Sequence, residues 1–246
     1  MIEKKVLMAI DRLKTFMPPE GYYLAFSGGK DSIVIHRLAV MSGVKFDAHY
    51  NSTSVDPPDL IYFIRNNYPD VIEEPYKRSM WEMIPKKLMP PTRMVRYCCE
   101  ELKERGGHNR VVVTGIRAAE STKRSKRKMV ETCFKDTTKR YMNVIFDWTD
   151  ADVWNFIRQE KIKYCKLYDQ GFERIGCIGC PMTSPKKRWI EFNRFPRYKE
   201  SYIRTFDKML VVRKEREKKC EWTSGEQVFN WWMENKESEH QTMMFD

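Results

Sequence analysis

The sequence predicts a Rossmann-like α/β fold, in which helices cover both faces of a mostly parallel, twisted sheet. Short apolar runs bounded by glycine or polar residues alternate with segments whose apolar residues recur at helical spacing. The run from Tyr22 to Phe26 is typical of a buried strand, and a helical pattern begins at Ile33. A chain of 246 residues is long enough for one large domain of this kind with a smaller appendage.

Three further segments are interpreted as strands of the same sheet. Val44–Asn51 alternates apolar and polar residues, Arg110–Arg117 contains a continuous apolar run, and Tyr141–Phe146 precedes a capped helical pattern. Beyond Pro185 the pattern changes to long amphipathic helices. We therefore expect a sheet domain over residues 1–185 and a helical extension packed on it over residues 186–246.

The composition bears on the location of the protein, the chemistry of its cysteines and the kind of partner that it binds. No run of eighteen apolar residues occurs, and the first residues open an amphipathic helix without the apolar core of a signal peptide, so we expect a cytoplasmic protein with no membrane partner. Seven cysteines in a reducing compartment favour metal or redox chemistry over disulfides. The net charge of +11 indicates a polyanionic partner such as nucleic acid, and a merely basic solvated surface is weighed equally.

The residues between the first strand and its helix favour phosphate binding. The glycine pair allows positive φ and close approach of an anion, two hydroxyls and a lysine donate to it, and the aspartate is a candidate magnesium ligand. A helix N-terminus at the same point adds backbone N–H groups. The alternative is a purely structural role, that of a serine-capped helix after a glycine turn. The six residues are Ser27, Gly28, Gly29, Lys30, Asp31 and Ser32.

Ser-Gly-Gly-Lys-Asp-Ser resembles the pyrophosphate loop (PP-loop) of the adenine nucleotide alpha-hydrolase superfamily, whose members cleave ATP between its α and β phosphates. The segments Trp148–Trp154 and Tyr168–Cys180 are similar to the phosphoadenosine phosphosulfate reductase family, and the similarity extends over most of residues 20–185. The resemblance implies an adenine nucleotide alpha-hydrolase-like fold that binds ATP, or adenylylsulfate, with magnesium. It makes Lys30 and Asp31 candidate catalytic residues.

Two segments after other strands are expected beside the loop, since ligands lie at the carboxyl ends of parallel strands. Asn-Ser-Thr after the second strand resembles the family's Asp-Thr-Gly segment with the acid replaced, and a plain turn stays an alternative. Thr-Gly-Ile-Arg-x-x-x-Ser resembles the segment whose arginines meet anionic groups of the substrate, which adds Arg117 to the catalytic candidates. The basic run Lys123–Lys128 serves either a polyanion or solvent. The candidate nucleotide-binding residues outside the loop are Asn51, Ser52, Thr53, Gly115, Arg117, Ser121 and Arg124.

Four of the cysteines form two short pairs. Cys98 and Cys99 are adjacent, and Cys177 and Cys180 have Cys-x-x-Cys spacing. Four thiolates in two pairs suit a zinc ion or a 4Fe-4S cluster. Adjacent cysteines fit one tetrahedral ion poorly because their side chains diverge, so the cluster is weighed above zinc, and zinc above four incidental thiols. Adenylylsulfate reductases of the family hold their cluster with the same pattern.

The resemblance leaves more than one function open. Reductases of the family end with a Glu-Cys-Gly-Leu-His tail that this sequence lacks, and their phosphate loops usually depart from Ser-Gly-Gly-x-Asp-Ser. We therefore expect a sulfurtransferase that adenylylates an acceptor, as in DNA phosphorothioation or transfer-RNA thiolation. Its expected partners are a nucleic acid or a sulfur-donor protein such as a cysteine desulfurase. The alternatives are an adenylylsulfate reductase that releases sulfite and a non-catalytic nucleotide-sensing subunit.

Overall fold

A computed structural model describes residues 2–234 of the chain. The helices are α1 Ile2–Thr15, α2 Lys30–Ser42, α3 Pro58–Asn67, α4 Met80–Lys87, α5 Tyr97–Leu102, α6 Thr122–Ser125, α7 Asp150–Gln159, α8 Pro185–Arg194, α9 Pro196–Glu215 and α10 Gly225–Glu234. The strands are β1 Tyr22–Phe26, β2 Phe46–Asn51, β3 Ile72–Glu74, β4 Val111–Thr114, β5 Val130–Thr132 and β6 Arg140–Asn143.

The six strands form one mostly parallel sheet, which confirms the predicted α/β fold. The strand order is β3-β2-β1-β4-β6-β5. The five strands other than β5 run parallel, and β5 pairs antiparallel with β6 at the edge. The edge strand β5 was not predicted from the sequence, because it is only three residues long and largely exposed.

The central position of β1 explains its sequence. It pairs with β2 on one side and β4 on the other, and Tyr22, Leu24 and Phe26 are buried. A strand covered on both faces carries an almost continuous apolar run. The chain connects β1 to β2 through α2, whereas β4 on the opposite side of β1 comes later in the sequence, so the strand order reverses beside β1. In open α/β sheets ligands bind at the carboxyl ends of the strands at such a point.

The chain forms two compact units, and the sheet belongs to the first. This unit, called here the sheet unit, consists of the residues up to Ser52 together with Pro58–Pro75 and Arg105–Ile175. Within it α1, α2 and α7 pack on one another. The fully buried Ile33, Ile35 and Trp148 belong to its core.

The second unit, called here the helical unit, gathers segments that are distant in the sequence. Among the described residues it consists of Thr53–Pro57, Tyr76–Glu104 and residues 176–234. In it α9 packs against α4 and α10, and the rings of Phe206 and Trp232 lie 5.6 Å apart. This division differs from the predicted boundary at residue 185, because both cysteine pairs group with the C-terminal helices. The predicted domains stay a prediction, and residues 235–246 of the extension lie outside the described residues.

No helix within residues 2–234 is both long enough and apolar enough to span a membrane.

Candidate functional site

The loop after β1 has a backbone that only glycine tolerates at its second position. Gly28 has φ 68°, and a Cβ atom there would lie 2.7 Å from Leu60 Cδ1 and 2.8 Å from Ile64 Cδ1. Gly29 has φ −77° and is the N-cap of α2, so the positive φ expected of the glycine pair occurs only at Gly28. The second glycine needs no such freedom because its backbone is already extended as the helix begins.

Hydroxyl groups hold the loop against the first turn of α2. Ser32 Oγ donates to the Gly29 carbonyl at 2.8 Å, and Ser27 Oγ donates to Ser32 Oγ at 3.2 Å. Gly29 N in turn donates to Ser27 Oγ at 3.4 Å. The two serines therefore fix the loop at the helix N-terminus, where the partial positive charge favours an anion.

Lys30 is buried, yet its ammonium group is held at this end of the sheet. Its Nζ donates to the Glu173 carbonyl at 3.0 Å and lies 3.2 Å from Asp150 Oδ1. Its backbone N–H donates to Tyr168 Oη at 2.8 Å, and the ammonium lies 5.8 Å from the centre of the Tyr168 ring. These contacts hold the Lys30 ammonium group in place. The Asp150 carboxylate is not itself fixed by burial, since its side chain is 61% exposed.

Arg117 is the most buried charge of the site and joins two carboxylates. Its Nε lies 2.7 Å from Asp31 Oδ1 and its Nη2 lies 3.0 Å from Asp150 Oδ1. Burial raises the pKa of Asp31, and the charges of Arg117 and Lys30 act against that rise. A Cβ atom at Gly115 would lie 2.8 Å from Asp31 Cβ, so the glycine leaves room for this carboxylate. The structure thus brings the predicted residues of α2 and of the β4 end together.

The remaining predicted residues have more local partners. Asn51 Nδ2 donates to Tyr23 Oη at 3.5 Å, and Ser52 Oγ donates to the Glu74 carbonyl at 3.1 Å. Ser121 caps α6 by accepting from Arg124 N at 3.2 Å. Their roles toward a nucleotide stay predictions. Two of these side chains engage neighbours that the sequence did not indicate: Arg124 pairs with Glu120, and Thr53, in the helical unit, lies 3.7 Å from the Cys177 sulfur.

Two residues of the site were missed from the sequence. Asp150 was assigned to the start of a helix, and Tyr168 served only to mark a family resemblance. Tyr168 packs at 5.1 Å against Trp154, which fixes its hydroxyl toward Lys30. An aspartate in the first turn of a helix is ordinary, so only the contacts with Lys30 and Arg117 distinguish Asp150.

The helical unit brings the four predicted metal-ligating cysteines into one neighbourhood. The Cys98 thiol interacts electrostatically with the sulfurs of Cys99, Cys177 and Cys180. The hydrogen bond between the adjacent thiols raises the pKa of Cys98 and lowers the pKa of Cys99 to about 6, with Lys103 also favouring the Cys99 thiolate. Within residues 2–234 no three Cys, His, Asp or Glu side chains are already arranged around a single metal ion.

A tight turn presents the second cysteine pair. Cys180 N donates to the Cys177 carbonyl at 3.2 Å, and Gly179 between them has φ 73°. A Cβ atom at Gly179 would lie 2.6 Å from Phe192 Cζ, so the turn packs directly on α8. The Cys177 thiol lies 3.8 Å from Asp56 Oδ1, and burial raises its pKa to about 11.

Two cations interact with these thiols, and one of them, Arg188, is fully buried. The charge of Cys177 raises the pKa of Lys103. Arg188 is 0% exposed, interacts with Cys180, and burial lowers its pKa to about 10, which leaves it cationic at neutral pH. Cationic surroundings of this kind favour thiolates and the anionic centres that thiolates bind.

The family model described as phosphoadenosine phosphosulfate reductase domain matches residues 21–183, which is more than half of the chain. The chain belongs to this family. The match covers the loop, Arg117 and all four cysteines.

Two relatives illustrate the range of names in this family. The chain is 31% identical over 227 residues to the uncharacterized protein MJ0973 of Methanocaldococcus jannaschii, covering 87% of this chain and 53% of the relative. It is 30% identical over 187 residues to adenosine 5'-phosphosulfate reductase of Geobacillus kaustophilus, covering 65% of this chain and 74% of the relative. The chain thus spans about half the length of MJ0973.

Solved structures share the fold at low sequence identity. The phosphoadenylyl-sulfate reductase of Candida auris matches with a TM-score of 0.54 and 17% identity, over 72% of this chain and 93% of that one. The Candida glabrata FMN adenylyltransferase, solved with FMN and an ATP analogue, matches with a TM-score of 0.53 and 17% identity, over 72% and 64%. These matches support the α/β fold class.

We expect Arg117→Gln to raise the pKa of Asp31 further, because the buried carboxylate loses its hydrogen-bonded cation. The measurement is a pH titration of the Asp31 carboxyl carbon by NMR. Arg37→Gln is the matched control, since Arg37 lies on the same helix and pairs with Glu160 instead. An unchanged Asp31 pKa in the Arg117 variant would contradict the described site.

Proposed function

We propose that the protein is an ATP pyrophosphatase-type sulfurtransferase, which adenylylates an acceptor and then supports insertion of sulfur. The observation that carries the proposal is the charged site at the carboxyl end of β1, where Arg117 joins Asp31 to Asp150 and Lys30 lies beside them. Phosphoryl chemistry of this kind depends on positioned charge more than on a protein nucleophile.

The reaction is an attack of an acceptor oxygen on the α-phosphorus of ATP. The bond from the α-phosphorus to the bridging oxygen breaks, and pyrophosphate leaves with that oxygen. The loop N–H groups and Lys30 stabilise the negative charge that develops on pyrophosphate. A sulfur nucleophile then replaces the adenylylated oxygen, which departs with AMP.

Magnesium fits the sheet-end site. Asp31 is a largely buried carboxylate with one oxygen on Arg117, and magnesium is held in proteins by one or two carboxylates together with substrate phosphates. Asp31 would hold the ion, which would neutralise charge on the phosphate oxygens. The family resemblance to the Ser-Gly-Gly-x-Asp-Ser loop supports ATP as the nucleotide.

A 4Fe-4S cluster is the cofactor that we propose for the helical unit. Cys98, Cys99, Cys177 and Cys180 would hold it, and it would supply a centre for handling sulfur. Two observations support this proposal: the Cys98 thiol interacts with the other three, and the cations Lys103 and Arg188 interact with thiols of the set, which suits an anionic centre. A cubane tolerates wider ligand spacing than one ion does.

An adenylylsulfate reductase is the second candidate function. The observation that favours it is the 30% identity to the Geobacillus kaustophilus enzyme of that name. That enzyme would release sulfite from adenylylsulfate and form no pyrophosphate from ATP. A non-catalytic nucleotide-sensing subunit would bind the nucleotide and do neither.

We propose a nucleic acid as the acceptor, on the basis of the surface of the sheet unit. We propose a cysteine desulfurase as the class of sulfur donor. Lys123, Lys126 and Lys128 are exposed before β5, whereas Arg127 pairs with Glu131. The turn that follows β5 carries Phe134, whose side chain is 99% exposed. Exposed cations and an exposed aromatic ring, here before and after one short strand, are the features that bind single-stranded nucleic acid by charge and base stacking.

We expect Asp31→Asn to lower pyrophosphate release from ATP at least about 100-fold, because the site loses its metal-binding charge. Pyrophosphate is measured with a coupled assay, and circular dichroism checks the fold. Asp11→Asn, an exposed position on α1, is the control and should retain wild-type turnover. Wild-type turnover in the Asp31 variant would refute the assignment of the loop.

Anaerobically purified protein is expected to contain about four irons per chain, the stoichiometry of a cubane. Serine at Cys98 or Cys177 should remove the iron and its visible absorption, because each substitution removes a thiolate ligand. Serine at Cys133 or Cys165, two cysteines outside the pairs, should leave both unchanged. Iron and sulfide analysis makes the measurement, and stoichiometric zinc without iron would overturn the cluster.

The acceptor is tested by single-stranded nucleic-acid affinity across a salt series. Replacing Lys123, Lys126 and Lys128 together with Gln should weaken binding and flatten the salt dependence, because fewer counterions are released. Phe134→Ala should weaken binding about tenfold with the slope unchanged, since base stacking is worth about 1–3 kcal/mol. Pyrophosphate release should persist in both variants. A wild-type affinity that does not change with salt concentration would contradict a nucleic-acid acceptor.

A further inference from the structure

Arg188 is a fully buried arginine whose position is fixed by one residue. Its Nη1 donates to the Trp232 carbonyl at 2.8 Å, and its guanidinium carbon lies 3.9 Å from the centre of the Trp232 ring. Stacking on an aromatic face together with a backbone hydrogen bond holds the guanidinium plane in one orientation. The charge of Arg188 is therefore a fixed feature of the helical unit.

The rest of this guanidinium group has no hydrogen-bond partner among residues 2–234. Both Nε and Nη2 of Arg188 are buried and unsatisfied. A buried charged donor without an acceptor is costly, and in native proteins such atoms are usually completed by water, an ion or another bound group. The orphaned atoms therefore call for an acceptor that the polypeptide itself does not supply.

The groups that face Arg188 all belong to the Cys177–Cys180 turn or hold it in place. Its electrostatic neighbours are Tyr202, Glu191 and Cys180. Glu191 Oε2 accepts the Gly179 N–H at 2.8 Å, and Tyr202 Oη donates to the Ile178 carbonyl at 3.0 Å. A Cβ atom at Gly179 would lie 3.0 Å from Trp232 Cη2, and Arg188 stacks on that same ring, so the unsatisfied donors belong to a group held next to this turn.

We propose that Arg188 is a charge-compensating residue that donates hydrogen bonds to sulfur on the Cys180 side of the bound cluster and raises its reduction potential. The inference rests on the proposed function, since it requires the cluster. Four thiolates make such a cluster anionic, and one added electron makes it more so. A fixed buried cation stabilises the more negative state.

The redox step in question is simple. One electron passes from an external reductant, through a mediator dye, to the cluster, and no bond forms or breaks. The mediator is oxidised and the cluster is reduced. Removing the Arg188 charge disfavours the reduced state and leaves the four cysteine ligands in place.

The test is an anaerobic spectroelectrochemical titration of the full chain, with iron per chain measured on the same samples. Arg188→Gln should retain iron, and its ratio of reduced to oxidised cluster at a fixed potential should fall about tenfold, which is about 59 mV for a one-electron couple. Arg188→Lys keeps the charge and loses the planar fork, so its ratio should fall at least about twofold.

Arg213→Gln is the matched control. Arg213 belongs to the same unit, donates to the Leu88 and Lys219 carbonyls at 2.6 Å each, and also has a buried, unsatisfied Nε. Its variant should keep the wild-type potential, because both of its hydrogen bonds go to carbonyls outside the Cys177–Cys180 turn and its neighbours.

The outcomes separate the two claims. A wild-type potential in whichever Arg188 variant folds and retains iron would overturn the role of Arg188 while leaving the cluster intact. An equal shift in the Arg213 variant would show a general effect of lost charge and would also overturn it. Wild-type protein without iron would refute the cluster, and with it this inference, and the iron analysis alone reports that result.

Discussion

Arg117 places a permanent positive charge where only 3% of its side chain reaches solvent, and such a charge requires anionic partners close by. Asp31 and Asp150 provide them from the first turns of α2 and α7, while Arg117 itself follows β4. One guanidinium thus ties together the ends of three elements. The loop after β1 depends on this arrangement because Asp31 is the second residue of α2, and any shift of that helix would displace the loop.

The helical unit also brings cations and ionisable groups together, and there the ionisable groups are cysteine thiols. Cys98, Cys177 and their partners interact with Lys103 and with the buried Arg188, so thiols and cations occupy one neighbourhood. Lys103 is paired with the thiol group already, whereas two nitrogens of Arg188 are not. The unsatisfied nitrogens of Arg188 are a reason to regard the four cysteines as a binding site. Thiols without a function would not require a cation next to them.

The parts that were predictable from the sequence are those whose chemistry is local. The loop at Gly28 combines a strand, a turn and a helix start within a few residues, and the cysteine pairs are recognisable from their spacing in the sequence. Tyr168 lies 138 residues from Lys30 in the sequence, and no local pattern reveals that its hydroxyl accepts the Lys30 N–H. Arg124 pairs with Glu120 four residues away, and its expected contact with the substrate stays a prediction.

The same limit applies to the organisation of the chain. Amphipathic helices beyond Pro185 were evident from their spacing, but their grouping with Tyr76–Glu104 depends on packing between distant segments. Periodicity identifies the apolar face of a helix and carries no information on its partner. The short edge strand β5 was missed for a related reason, because its exposed residues lack a buried-strand pattern.

The central claim is that the sheet-end site cleaves ATP between its α and β phosphates, and phosphorus NMR of the products tests it most directly. Anaerobically purified protein is incubated with ATP, magnesium, single-stranded nucleic acid and a sulfur donor. The account predicts that AMP and pyrophosphate accumulate in equal amounts. Accumulation of ADP and inorganic phosphate, or intact ATP from protein that converts adenylylsulfate to sulfite, would contradict it.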